Sequence, residues 1–354
     1  MVFNKYDGVK ISAIAAAVPT GIRRITDLKT EDNARMIEQF IKKTGITQIH
    51  KAEFEQTASD FSYSAAKMIE ASGRYTPDEI GVLVDVTQHP DYRTPSTACV
   101  LQKRLGLSNS CIAFDINLGC SGFVYGLSVA SALLRTSNAK KALLLVGDTL
   151  ARGRKGYNDA SKRETNTELL FGDASAAILL EKNDESIIET GLMTDGDGFK
   201  ALAVPYGAWK HPIGPELFPG DDIAVFNFTI KEVPSIIDEF LKTTQHAIDD
   251  YDAVILHQAN MMIMKQIAKK IGVSMEKVPI SLDRFGNTSG ASVPLTIVDR
   301  YGSSSDEGVL KLLTSGYGVG LSWGVASFKI SIKDILPITI GLDSFSDGYE
   351  DKNI

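Results

Sequence analysis

Cysteine and histidine are scarce in this sequence, with three of the first and five of the second in 354 residues, and no long apolar run occurs. Cys99, Cys111 and Cys120 fall within one short stretch, without CxxC spacing or a neighbouring histidine pair. That pattern argues against a disulfide framework and against a zinc or other metal site. No segment reaches the roughly 18 apolar residues that span a bilayer, so no membrane association is expected. The apolar run over 11–18 is short and is followed by no small-residue cleavage pattern. It reads as a first strand, and the expected location is the cytoplasm. Positive charge is not in excess either: 37 Lys and Arg against 44 Asp and Glu leave a net charge of −7. Nothing resembles the basic stripe that tracks a phosphate backbone, so nucleic acid is excluded as a partner.

What is present is enough apolar residue, 44%, for one large core or two ordinary domains. Apolar, β-branched segments alternate with helical patterns. Strands are predicted over 9–18, 80–86, 111–116, 141–146, 174–180, 187–193, 253–256, 309–314 and 322–330, and helices over 57–72, 94–105, 121–135, 233–248, 261–271 and 292–301. This order implies an α/β fold. The polar stretch 152–168 reads as an exposed loop, and 195–222 as a Gly/Pro-rich segment holding Trp209 and His211. Two successive α/β halves, 1–185 and 186–332, suggest a pseudo-duplicated architecture, with 333–354 as an acidic, partly mobile tail.

Three residues stand out by context. Cys120, in NLGCSGF, lies between a buried strand and a long apolar helix, flanked by Gly119 and Gly122. A helix N-terminus there supplies unpaired N–H groups and positive partial charge, which favour a thiolate and hold an oxyanion. Cys99 and Cys111 lack that setting and are expected to pack in the core. His257, in LHQAN, follows an apolar strand at the end where α/β proteins collect ligands, with Asn260 beside it. His50, His89, His211 and His246 are assigned polar or loop-like surroundings. Asn287, in GNTSGASVP, reads alone as a turn or cap residue, and beside the other two as an amide donor at a shared site.

NLGCSGF, LHQAN and GNTSGASVP in this order resemble the Cys-His-Asn constellation of β-ketoacyl-ACP synthase III enzymes. TGI at 44–46, TPSTAC at 94–99, FGDASAA at 171–177 and GVGLSWG at 318–324 support the likeness from about residue 9 to 330. The resemblance implies a thiolase fold, five-layered αβαβα, and a homodimer. It implies no cofactor beyond thioester substrates carried on acyl carrier protein or coenzyme A. In this likeness Cys120 takes an acyl group, His257 and Asn287 stabilise the enolate formed by decarboxylation of a malonyl thioester, and the N–H groups of Cys120 and of the Val319–Gly320 loop face the acyl oxygen. By the same likeness Lys43, Thr44, Phe171, Phe226, Asn260, Thr94 and Leu321 are expected to bind substrate.

Departures from the family pattern are equally specific. Gln39 and Thr165 stand where an aromatic and an arginine sandwich adenine, Lys43 replaces an arginine, and Ile223 replaces an asparagine. Stacking and cation–π contacts contribute about 0.5–2 kcal/mol each, so the priming acyl group is expected on a carrier protein, or as a coenzyme A ester held differently. Met262 occupies the usual basic docking position, with Lys265, Lys269 and Lys270 further along the same helix. Thr94 in place of phenylalanine predicts room for a longer acyl chain, and Tyr317, Val319 and Leu321 reshape the pocket. A thiolase would need a later cysteine, and none follows Cys120. An HMG-CoA-synthase-like enzyme would need a glutamate where only Asp85 and Asp91 occur. The rival is an acyltransferase forming an ester or amide without decarboxylation.

Overall fold

The computed structural model describes residues 1–152, 169–214 and 220–348. The predicted loop over 152–168, apart from Arg152, and Thr165 within it lie outside the described residues. In chain order the strands are β1 (Val2–Val18), β2 (Gly21–Arg24), β3 (Gln48–Lys51), β4 (Ile80–Val86), β5 (Ile112–Ile116), β6 (Lys141–Asp148), β7 (Ala174–Thr194), β8 (Ala253–Leu256), β9 (Val309–Gly318), β10 (Ser322–Ser331) and β11 (Thr339–Ile340). The helices are α1 (Ala34–Thr44), α2 (Ala58–Ala71), α3 (Thr97–Arg104), α4 (Gly122–Thr136), α5 (Asp222–Thr244), α6 (Met261–Lys270), α7 (Leu282–Phe285) and α8 (Ser292–Tyr301).

Two long antiparallel strands organise everything else. β1 pairs with β7 from Val2↔Leu192 to Asp7↔Ile187, shifts register, and resumes from Val9↔Lys182 to Ala17↔Ser175. The second stretch carries β6, β4 and β5 beyond it, and the first carries β10, β9 and β8. Each long strand therefore serves two sheets. The two strands predicted over 174–180 and 187–193 are one strand, and residue 185 falls at the register shift between its two stretches.

The layers follow from two-sided burial, which makes the central strands nearly continuous apolar runs. Along β1, Ala13, Ala15 and Ala17 face α2 and α3 with Phe61, Ala65 and Leu101. Ile11, Ile14 and Val18 face the middle layer, where Phe123 and Leu127 of α4 meet Val293 and Ile297 of α8. On the far side Ile236 and Phe240 of α5 and Met264 and Ile267 of α6 cover Val254, Leu313 and Val325. The result is the αβαβα arrangement of the thiolase fold. Each such buried aliphatic or aromatic side chain contributes about 1.5–3 kcal/mol.

Several boundaries differ from the sequence pattern for local reasons. Helix α3 starts at Thr97, because Pro95 holds Thr94 out of helical geometry and Ser96 is extended. Helix α5 starts eleven residues before Val233, capped by Asp221, whose carboxylate accepts from Ile223 and Ala224 at 3.1 and 2.9 Å. Pro234, which reads as a helix start, sits inside it. The tail is fastened as far as residue 348. Gln56 donates to the Gly341 and Asp343 carbonyls, Phe345 packs edge-on to Tyr63, and Arg104 donates to both carboxylate oxygens of Asp347 from Nε and Nη2. Cys99 is exposed and Cys111 half-buried rather than in the core, since one lies on the outer side of α3 and the other enters the edge strand β5.

Candidate active site

β5 passes to α4 through a turn closed by Gly122 N–H donating to the Gly119 carbonyl at 2.7 Å. A Cβ on Gly119 would lie 2.3 Å from Gln88 Oε1, so any larger residue there would have to displace the Gln88 amide. Cys120 sits on this turn, 7% exposed. Ser121 leaves the helix end uncapped and pairs its hydroxyl with Ser322 at 2.6 Å. Burial pushes the Cys120 thiol up to about 12, with the Ser289 hydroxyl opposing and Asp148 adding to the rise. The helix end favours the thiolate as expected, but burial outweighs it: a water-poor pocket penalises the anion more than roughly half a charge at a helix end stabilises it.

His257 continues β8, its N–H donating to the Ser315 carbonyl at 2.8 Å, while Tyr317 Oη donates to the His257 carbonyl at 3.0 Å. The imidazole is buried, edge-on to the Tyr317 ring at 5.2 Å, with Nδ1 2.6 Å from Ser292 Oγ. Burial lowers its pKa to about 3, the Ser289 carbonyl opposing, so the ring is neutral at physiological pH.

Asn287 is pinned by its backbone, donating to the Leu170 carbonyl at 2.9 Å and accepting from Gly172 at 3.1 Å. The preceding Gly286 has φ +66°, and a Cβ there would meet Ile49 at 2.7 Å and the Leu170 carbonyl at 2.9 Å. Asn287 Oδ1 accepts from Ser289 N–H at 2.9 Å, which leaves the amide Nδ2 as the donor end. Ser289, at φ 51°, thus meets all three side chains: its N–H holds Asn287, its carbonyl lies by His257, and its hydroxyl is 3.9 Å from Cys120 Sγ.

The β9–β10 connection closes over the sulfur. A Cβ on Gly318 would come within 2.7 Å of Cys120 Cβ and 3.1 Å of Sγ. Val319 and Gly320 are half-buried, and Leu321 is held by reciprocal backbone bonds with Asp195 at 2.8 and 2.9 Å. Phe171 forms a bridge with Asn287, so it belongs to the same cluster. The other predicted residues stand further out. Thr44 spends its hydroxyl on the Phe40 carbonyl at 2.8 Å, and Lys43 is exposed. Asn260 caps α6 by accepting from Ile263 at 2.9 Å, Phe226 is half-buried on α5, and Thr94 is exposed.

Sequence reasoning missed Ser289 and Ser292, although both lie in the GNTSGASVP motif, and it missed the Tyr317 hydroxyl bond. It also misjudged His50, which is buried in β3, bonded to the Pro19 carbonyl at 2.7 Å and stacked on Phe285. The polar rim includes His89, whose Nδ1 lies 3.0 Å from the buried Asp148.

The sequence model of 3-oxoacyl-[acyl-carrier-protein] synthase III matches residues 114–196, and that of its C-terminal part matches 241–330. A β-ketoacyl-[acyl-carrier-protein] synthase III of Xanthomonas oryzae pv. oryzae is 38% identical over 314 residues, covering 85% of this chain and 94% of its own. The chain belongs to the β-ketoacyl-ACP synthase III family. Another family member, from Pasteurella multocida, is 33% identical over 90% of this chain and 98% of its own. The crystal structure of a 3-oxoacyl-(acyl-carrier protein) synthase from Burkholderia xenovorans superposes with a TM-score of 0.88 at 33% identity, covering 96% of this chain and 99% of that one. Of the positions noted as departures from the family pattern, Gln39 and Met262 are exposed and Ile223 is 73% exposed, whereas Tyr317 and Leu321 are buried.

Proposed function

We infer that the protein is a condensing acyltransferase: it loads an acyl group from a thioester onto Cys120 and joins it to malonyl-ACP with loss of CO2, giving a 3-oxoacyl-ACP. The observation that carries this reading is the convergence of Cys120, His257 and Asn287 on Ser289. In the first step Cys120 Sγ attacks the thioester carbonyl, and its proton leaves with the released carrier thiol. In the second, the malonyl carboxylate departs as CO2 while its electron pair forms an enolate. His257 and the Asn287 amide donate to that enolate oxygen. Neutral donors suit the step because they need no charge in the pocket before the enolate forms. The enolate carbon then attacks the acyl-Cys carbonyl, whose oxygen faces the N–H groups of Cys120 and the 318–320 loop, and collapse expels the Cys120 thiolate, which takes up a proton from solvent to restore the thiol. An intact donor pair favours this over ester or amide transfer, which has no enolate to stabilise.

The protein acts as a homodimer in the cytoplasm and takes its acceptor on acyl carrier protein. No helix among the described residues is long and apolar enough to cross a membrane, and no step above calls for a cofactor. The priming group arrives on a carrier protein, since the aromatic and arginine that stack on adenine are replaced and Gln39 lies in the open. Intact-protein mass spectra after incubation with matched acyl-CoA and acyl-ACP, followed by CO2 release from malonyl-ACP, test the reading. Acylation of Cys120 without subsequent CO2 release removes the condensation step. A clear preference for acyl-CoA removes the carrier-protein donor.

A further inference from the structure

A neutral imidazole carries one N–H, and which nitrogen holds it decides whether the ring can donate to a substrate oxygen. His257 is neutral, buried, and approached at Nδ1 by one side chain, Ser292 Oγ at 2.6 Å. Ser292 is 1% exposed, and its hydroxyl has no other hydrogen-bond partner among the described residues. Its backbone carbonyl is occupied, accepting from the Thr296 hydroxyl at 2.7 Å. Two arrangements are open to the pair. If Nδ1–H donated to Ser292, the serine proton would be buried without an acceptor and Nε2 would be a lone pair, unable to donate. If the serine donates to Nδ1, its proton has an acceptor and the ring proton sits on Nε2.

We propose that Ser292 is the positioning residue that fixes His257 in its Nε2–H form, so that the imidazole serves as a hydrogen-bond donor to the enolate. Two further contacts hold the arrangement still. Ser292 is in the first turn of α8, packed among Val293 and Ile297 in the middle layer. The His257 backbone is held on both sides, by Ser315 and by the Tyr317 hydroxyl. The ring therefore has little freedom to exchange its partner. Among the described residues the Ser292 hydroxyl bonds to His257 and to neither Cys120 nor the Asn287 amide, so its effect is expected in the half-reaction that uses His257.

The inference rests on the condensing function proposed above, and its test separates the two. Selectively 15N-labelled histidine gives five side-chain signal sets, with that of His257 assigned by its absence in His257→Gln. The full-length protein is expected to show the Nε2–H tautomer at this residue. In Ser292→Ala the signal should move to the other tautomer or to a mixture. CO2 release from malonyl-ACP by the acylated enzyme should fall roughly 100-fold, the size of losing one oxyanion donor, and acyl loading of Cys120 should stay within about twofold. Ser292→Thr, which keeps the hydroxyl, should restore both signal and rate. If Ser292→Ala does not fold, the tautomer of the unaltered protein still decides: an Nδ1–H form overturns the proposal, as does Ser292→Ala with unchanged spectrum and rate. Absence of CO2 release in the unaltered protein would instead remove the functional reading and leave the tautomer result standing.

Discussion

The two helices of the middle layer, α4 and α8, are topological counterparts that do different work. Each follows its half's outer helices and precedes a strand that runs parallel to an earlier one, β6 to β4 and β9 to β8. Each brings its N-terminal end to the same pocket. At α4 that end is a two-glycine turn presenting a thiol, and at α8 it is a short 3-10 turn over Ser289–Ala291 preceded by a carboxamide. In the proposed reaction the first end forms a covalent bond, and the second, with His257, handles charge. The repeated order of elements thus supplies two matching helix ends, which differ in what stands just ahead of each.

That division is broken most cleanly by removing each end in turn. Cys120→Ala should abolish acyl loading, seen as loss of the acyl mass increment, with little change in thermal stability. Asn287→Ala should leave loading intact and lower CO2 release from malonyl-ACP by about 100- to 1000-fold, as for an oxyanion donor. Equal loss of both half-reactions in Asn287→Ala would mean that the ends are not separable. Gly318→Ala sharpens the comparison from the other side of the sulfur. Its Cβ would stand 2.7 Å from Cys120 Cβ, and the displaced nucleophile should load about 10- to 100-fold more slowly. Ser289 belongs to both ends, and Ser289→Gly keeps its left-handed backbone while deleting the hydroxyl. Alkylation of Cys120 should then need higher pH, because the one side chain that stabilises the thiolate is gone, while the Asn287-dependent CO2 release changes less than threefold.

Much of this was legible in the sequence because it is carried by local patterns. The strand-turn-helix around Cys120, the apolar strand before His257 and the Gly286-Asn287 turn are each a few residues long, and each was placed correctly. What escaped is non-local. That β7 is one strand of 21 residues follows from its partner β1, which runs alongside both stretches and bridges a polar interruption. The charge state of Cys120 was not legible, because helix polarity is visible in sequence and depth of burial is not. The tail looked mobile by composition, yet Asp347 finds Arg104, 243 positions away. A residue such as Ser292, small and unremarkable in a motif of small residues, acquires a role only when the fold sets an imidazole beside it.

The smallest expected effect concerns pH and again separates the neutral end from its surroundings. Burial lowers the His257 pKa to about 3, whereas an unfolded chain binds that proton near 6.5. Stability from this group is therefore intact above about pH 6.5 and is lost as pH falls toward 3, because only the unfolded state takes up the proton. Asp60 and Asp173, both raised to about 6 by burial, work in the opposite direction over the same interval, since the folded state binds their protons first. Absolute acid stability mixes these contributions, but a single substitution leaves the carboxyl terms in place on both sides of the comparison. Urea denaturation of the unaltered protein and of His257→Gln between pH 6.5 and 4 should then differ in slope by up to one proton, about 1.4 kcal/mol per pH unit. The variant should be the less acid-sensitive of the two. Parallel slopes would mean that the ring takes up its proton in the folded state as easily as in the unfolded one, and that the α8 side of the pocket is not held neutral by burial.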